Sequence, residues 1–148
     1  MRFWAVVGLA SVFLPSLGLA ENVKETIQLL STPEAECRYV ATLVNNAKAS
    51  LRSARELRDE AEQLVATGEY REATRKMIAA GTMARITAVD DMHKVTAATR
   101  EIRVKRGLLP TCAEPLYEEG HQGVITAINF ASECSARAQS LVQLAVSK

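Results

Sequence analysis

The sequence predicts an all-α fold, a slim antiparallel bundle of about three helices after a cleaved signal peptide. Apolar residues recur at steps of three and four over most of the chain, which is the spacing of amphipathic helices. Glycine and proline stand between these stretches, where helices end and begin. The inner positions are rich in alanine, and only 5% of the residues are aromatic. Few large side chains are therefore available to fill a wide core.

The first twenty residues have the organisation of a secretory signal peptide. Arg2 provides a positive start, the run from Phe3 to Leu14 is apolar and uncharged, and Pro15 ends it. Small residues then precede a polar stretch, which predicts cleavage after Ala20. The alternative is an uncleaved membrane anchor, but this run is shorter than the roughly 20 apolar residues that a spanning helix needs.

Residues 21–148 are expected to form one helical-bundle domain, located in the periplasm or secreted. No segment after the signal peptide is apolar enough to predict a membrane span. The whole chain has 18 basic and 17 acidic residues, and the two signs are interleaved. Because a nucleic-acid binder usually carries a clustered basic excess, nucleic acid is not an expected partner.

Capping residues set the expected ends of the helices. Thr32 and the proline after it suit a helix start, while Gly68 and Gly107 suit helix ends. The segment Thr111–Glu114 fits a capping box, and Gly120 is expected to interrupt the chain beyond it. The long helices are predicted over 33–66, about 70–106 and about 122–146, after a short helical stretch over 23–30.

Each long helix is expected to turn an apolar face inward. On the first, this face consists of Cys37, Val40, Val44, Ala47, Leu51, Ala54, Leu57, Ala61 and Leu64. On the second, it consists of Ala73, Met77, Ala80, Ala84, Ala88, Met92, Val95, Ala98 and Ile102. On the third, it consists of Val124, Ala127, Ile128, Ala131, Cys134, Ala138, Leu141, Leu144 and Ala145.

Three cysteines allow at most one internal disulfide. An up-down-up bundle returns Cys112 to the end of the bundle where Cys37 lies, so this pair is the first choice in an oxidising compartment. If the chain folds back after Cys112, a bridge to Cys134 becomes the alternative, and all three thiols could also stay reduced. Cys134 falls on the apolar face and is expected to be a core residue.

No assembled catalytic or metal-binding motif is found, so we expect neither an enzyme nor a resident cofactor. The sequence lacks CxxC, HExxH and paired ExxH motifs, phosphate-binding glycine loops and the Gly-x-Ser-x-Gly turn. Two groups of acidic residues with a histidine are candidate metal ligands, and these are Asp90, Asp91 and His93, and Glu118, Glu119 and His121. Neither group has the spacing of a strong metal motif, and we expect no metal at either.

The segment Leu64–Ala73 is similar to the turn between the two helices of a tetratricopeptide repeat. In that motif a glycine ends one helix, an acidic residue and a tyrosine open the next, and an alanine packs back. The resemblance covers ten residues and has no second copy at the 34-residue spacing of such repeats. It implies a tight antiparallel hairpin at Gly68 rather than a repeat array.

These observations favour an exported, non-enzymatic protein that acts through protein–protein contact. An accessory subunit, a chaperone-like binder or an inhibitor in the cell envelope would fit. Ile78, Ile86 and Val89 lie outside the predicted inner face of the second helix and are the expected interaction surface. The partner is unidentified, and a second copy of the chain is one candidate. The alternative function is binding of a small ligand or a metal in the envelope.

Overall fold

The structure, a computed structural model, describes residues 19–147 and confirms an all-α fold for them. The predicted signal peptide lies outside the described residues, except for its last two positions. No described helix is long and apolar enough to cross a membrane. The helices are α1 (Leu19–Leu29), α2 (Pro33–Ala66), α3 (Tyr70–Met83), α4 (Val89–Arg106) and α5 (Glu114–Val146), with the π-helical segment Ala84–Ala88 joining α3 to α4.

Three long helical rods and one short helix therefore make up the described chain. The rods are α2, the continuous α3–α4 rod and α5, while α1 is the fourth helix. The predicted count of about three helices is too low because α1 packs into the bundle instead of preceding it. Its Val23 and Ile27 side chains are almost completely buried.

The predicted ends of the first two rods are confirmed. The side chain of Thr32 accepts a hydrogen bond of 3.2 Å from the Ala35 amide, as an N-cap residue does. Gly68 and Gly107 both have φ of 79°, the left-handed conformation that ends helices and favours glycine. Because only three residues separate Ala66 from Tyr70, α2 and α3 form the predicted tight hairpin.

The predicted start of the last rod is wrong. Ala113 occupies the N-cap position of α5 and forms no capping side-chain bond, so the expected capping box of Thr111 and Glu114 does not form. Helix α5 instead begins at Glu114 and runs without a break through Gly120 and Gly123.

Close packing against α4 explains these two glycines. A Cβ atom at Gly120 would lie 2.7 Å from Val95 Cγ1, and one at Gly123 would lie 2.3 Å from Met92 Cε. Glycine therefore lets α5 approach α4 at these positions, at a cost in helix propensity of about 1 kcal/mol each relative to alanine.

The core has two parts arranged along the bundle. The first joins α2, α3, the π segment and α5, and consists of Leu51, Ala54, Ala61, Ala73, Met77, Ala80, Ala84, Ala88, Ala127, Phe130, Ala131, Cys134, Ala138 and Leu141. The second joins α1, α2 and α4, and consists of Val23, Ile27, Val40, Leu43, Val44, Val95, Ala98 and Ile102.

The predicted inner faces agree closely with this core. All nine positions predicted for the α3–α4 rod are buried. The largest exceptions are in α5, where Ile128 and Leu144 were predicted to face inward but are 49% and 40% exposed. Phe130, buried in the first part of the core, takes a place that the sequence pattern did not assign. The Arg58 guanidinium lies 4.9 Å from the centre of the Phe130 ring.

A buried polar cluster joins α1, α2 and α4 beside the second part of the core. The Glu36 side chain is fully buried and receives hydrogen bonds from Lys105 Nζ, at 2.7 Å, and from Arg106 Nε. Lys105 Nζ also donates to the Ile27 carbonyl at 2.8 Å and to the Leu30 carbonyl. The ammonium group thereby satisfies carbonyl groups at the end of α1, where the helix dipole favours a cation.

Candidate functional site

The first two predicted site residues, Cys37 and Cys112, lie next to one another. Their Sγ atoms are 2.04 Å apart, at disulfide distance, and their Cα atoms are 6.2 Å apart. Cys37 is in the first turns of α2, and Cys112 is in the loop between α4 and α5. The pair therefore lies beside Glu36 and holds the loop against the start of α2.

Cys134 lies in the first part of the core and is separate from this pair. Burial raises the pKa of the Cys134 thiol, outweighing the effect of the nearby Arg58 guanidinium. The thiol is therefore kept protonated near neutral pH and unreactive as a nucleophile. A Cβ atom placed at Gly81 would lie 3.2 Å from Cys134 Cβ, so α3 and α5 are in close contact here.

Three of the six candidate metal ligands, Asp91, Glu119 and His121, contact other residues. Asp91 accepts a hydrogen bond of 2.8 Å from the Ser50 hydroxyl, and Glu119 pairs with Lys48. The His121 ring stacks on Tyr117, with ring centres 6.5 Å apart. No group of three or more His, Cys, Asp or Glu residues within the described chain is arranged to hold a metal ion.

The three residues of the predicted interaction surface differ in exposure. Ile78 is 54% exposed and Ile86 is 57% exposed. Val89 is half-buried and packs against the first part of the core, so it contributes less to the surface than expected. Further apolar side chains on the outside of α5 are exposed, and these are Ile125, Ile128, Val142, Leu144 and Val146.

Two of these exposed apolar side chains, Ile78 and Val142, lie at a groove between α3 and α5. It encloses a cavity of about 300 Å³, with Ile78 on the α3 side and Val142 on the α5 side. Gly81 and Ser135 leave room between these walls, because neither carries a large side chain. The buried Met77 and the small residues Ala131 and Ala138 also line the cavity. We call this feature the α3–α5 groove.

Polar groups at the α3–α5 groove come from both helices. Gln139 on α5 and Thr82 on α3 are exposed and line it. Arg85, in the π-helical segment, also lines the cavity and carries a positive charge. The groove can therefore combine apolar contact with directional hydrogen bonding and a positive charge, a mixture typical of surfaces that bind other proteins.

Sequence reasoning identified Ile78 but missed the α5 wall and Arg85. The signal for the wall was present in the exposed stripe Ile128, Ser135 and Val142, whose members lie seven residues apart and so share one helix face. Arg85 had no comparable signal, because the apolar pattern marks the buried face of a helix and does not show which of its exposed residues lie beside another helix. Comparison with protein-family models, curated protein sequences and solved structures gives no match to this chain.

Proposed function

We propose that this chain is an exported, non-enzymatic protein that acts through contact with another protein at the α3–α5 groove. The main support for this proposal is the groove itself. It is open to solvent, its walls are the exposed Ile78 and Val142, and polar side chains surround it. Exposed apolar residues gathered around a groove gain free energy when a partner removes them from water.

A location in the periplasm or outside the cell is part of this proposal. It is supported by the signal-peptide pattern of residues 1–20 and by the disulfide distance between Cys37 and Cys112. An intact-mass spectrum of the protein from its native host tests it. We expect a mass that begins at Glu21, with one disulfide and one free thiol. Retention of Met1 with three free thiols would contradict the proposed location.

Site-specific photo-crosslinking tests the contact itself. A photoreactive side chain is placed at Ile78 or at Gln139, on opposite walls of the groove, in the full-length gene expressed in the native host. The matched control carries the same group at Arg52, which is exposed on α2 and does not line the groove. We expect discrete adducts from both groove positions and none from position 52. A lack of adducts from either groove position would refute the proposed function.

A further inference from the structure

The surface of α3 and α5 between the α3–α5 groove and the α2–α3 hairpin has a further feature. A second depression, of about 440 Å³, lies between the start of α3 and the end of α5, where Arg71, Arg75 and Ala145 line it. The cavity at Ile78 and this depression follow one another along the same two helices. From Arg71 to Arg85 the rod rises by about 21 Å at 1.5 Å per residue, which is the length of a helix of about 15 residues.

Positively charged side chains outnumber negatively charged ones along this surface by three to two. Arg71, Arg75 and Arg85 lie along it, and the α5 wall contributes serine, glutamine and valine. Two acids lie at the hairpin end, but Glu72 pairs with Arg75 at 3.3 Å, and Glu69 accepts a hydrogen bond of 2.8 Å from Thr67.

Arg71 and Arg85 differ from Arg75, which pairs with Glu72. Neither forms an ion pair with another residue of the described chain. Both side chains are exposed, Arg85 at the cavity and Arg71 at the second depression. Two guanidinium groups are thus available to pair with carboxylates of whatever occupies the space between them.

We infer that the α3–α5 groove binds an acidic amphipathic helix of a partner protein. This inference rests on the proposed function and specifies the chemistry of the partner. The apolar face of such a helix would place large side chains over Gly81 and Ser135, between Ile78 and Val142. Its carboxylates, flanking that face and separated by three to four turns, would reach Arg71 and Arg85. Helix-in-groove recognition uses apolar residues at i, i+4 and i+7 in this way.

Charge complementarity also distinguishes this partner from a second copy of the chain. A symmetric contact between two α3–α5 grooves would bring the unpaired Arg71 and Arg85 of one copy toward the same two arginines of the other. Like charges placed across an interface are disfavoured, whereas an acidic helix supplies the opposite sign. The groove is therefore better suited to an acidic partner than to itself.

The test uses two synthetic peptides of about 15 residues, the length of the groove. The acidic peptide carries leucine at i, i+4, i+7 and i+11 and glutamate on both flanks, and the basic peptide has lysine at each glutamate position. Fluorescence anisotropy at low salt measures their binding to the mature protein. We expect the acidic peptide to bind about tenfold more tightly, since exposed charge pairs each contribute a few-fold in affinity.

Two variants and a control locate the binding. Arg85→Glu is expected to weaken binding of the acidic peptide about tenfold and to strengthen binding of the basic peptide. Ile78→Asp is expected to abolish binding of the acidic peptide. Arg52→Glu makes the same charge change on α2, outside the groove, and is expected to leave the ratio of the two affinities unchanged. Circular dichroism confirms that each variant is folded.

Several outcomes would overturn the inference. Equal affinities for the two peptides, binding of neither peptide, or an Arg85→Glu variant that binds like wild type would each contradict an acidic partner. A dimer seen by light scattering that Ile78→Asp dissociates would instead assign the groove to a second copy. In all these cases, discrete crosslinks from Ile78 to another protein would still support the proposed function. Failure of the acidic-helix inference can therefore be distinguished from failure of the proposed function.

Discussion

Glu36 and Lys105 form a 2.7 Å ion pair that joins the first turn of α2 to the last turn of α4. The Glu36 carboxylate is fully buried, and its other oxygen accepts a hydrogen bond from Arg106. Lys105 also binds the carbonyls at the end of α1. One buried acid thereby fixes the relative positions of three helices, and the cysteine pair lies directly beside it.

Glu36→Gln is expected to lower the free energy of unfolding by about 2–3 kcal/mol. The amide keeps the shape of the carboxyl group but leaves two partly buried cations without a counter-charge, which costs more than the loss of an ordinary hydrogen bond. Urea unfolding measures the change. The control is Glu60→Gln, whose 2.6 Å pair with Lys76 is exposed and should contribute little. Equal effects of the two substitutions would argue against a special role for the buried cluster.

The stability that Glu36 provides should depend on pH. Burial alone would raise the pKa of Glu36, but hydrogen bonds from Arg106 and Lys105, together with their charges, outweigh it and lower the pKa below 4.5. Because the pKa of Glu36 is lower in the folded state, the unfolded state binds more protons at acidic pH. The stabilisation by Glu36 is therefore complete above the pKa of the unfolded state and is lost as the pH falls through the pKa of the folded state. The stability difference between wild type and Glu36→Gln should therefore be constant above about pH 5.5 and shrink below about pH 4.5. A constant difference down to pH 3 would contradict this assignment.

A disulfide between Cys37 and Cys112 would close a loop between residues 75 positions apart in sequence. Replacing both cysteines by serine is expected to cost about 2–4 kcal/mol, because a loop of this length restricts the unfolded chain strongly. Thermal unfolding with and without reductant measures the effect. Reductant should destabilise wild type but leave the double variant unchanged. A wild-type transition insensitive to full reduction would show that the bridge does not stabilise the fold.

Cys134 should resist alkylation in the native protein. Its thiol is buried, and burial raises its pKa, so little thiolate is available to react. Mass spectrometry after iodoacetamide treatment should find no label on the native protein, one label after denaturation, and three after denaturation with reduction. Rapid labelling of one thiol without denaturant would mean that α3 and α5 separate readily at Gly81.

Local sequence signals predicted much of this fold. Thr32, Gly68 and Gly107 marked helix ends correctly, because capping depends on the conformation and hydrogen bonding of a few neighbouring residues. The apolar pattern of the α3–α4 rod correctly identified nine buried positions, because helical periodicity is also a local property, but it did not include the buried Thr74 and Thr99. Proximity of Cys37 and Cys112 followed from the up-down-up order of the rods, which places the start of the first beside the start of the last.

Features that depend on contacts between distant segments could not be predicted in this way. Glu36 looked like an ordinary acid in the first turn of a helix, and only the folded bundle brings Lys105 to it. Gly120 was predicted to break a helix, whereas its role is to let α5 approach Val95. The α3–α5 groove was half predicted, through Ile78, because its other wall lies more than fifty residues away in sequence.

Gly120 and Gly123 should differ in their tolerance of alanine. At Gly120 the added Cβ meets the β-branched Val95, at 2.7 Å from Cγ1 and 3.1 Å from Cβ, which cannot move without moving α4. At Gly123 it meets the far end of the flexible Met92 side chain, which can adopt another rotamer. We expect Gly120→Ala to destabilise by about 1–3 kcal/mol, even after the gain in helix propensity, and Gly123→Ala to cost clearly less. Urea unfolding of both variants measures the order, and the reverse order would place the close contact elsewhere on α5.

Helix α1 should be an integral part of the folded domain and not a leader to it. Ile27 is completely buried against α2 and α4, while Leu29, two residues later, is 84% exposed. Ile27→Ala is therefore expected to cost about 2–4 kcal/mol through lost apolar contact and the cavity left behind, and Leu29→Ala less than about 0.5 kcal/mol. Both variants remove apolar atoms from the same short helix, so helix propensity affects them similarly. If Ile27→Ala unfolded at the same urea concentration as Leu29→Ala, α1 would contribute nothing to stability, and the bundle would consist of its three rods alone.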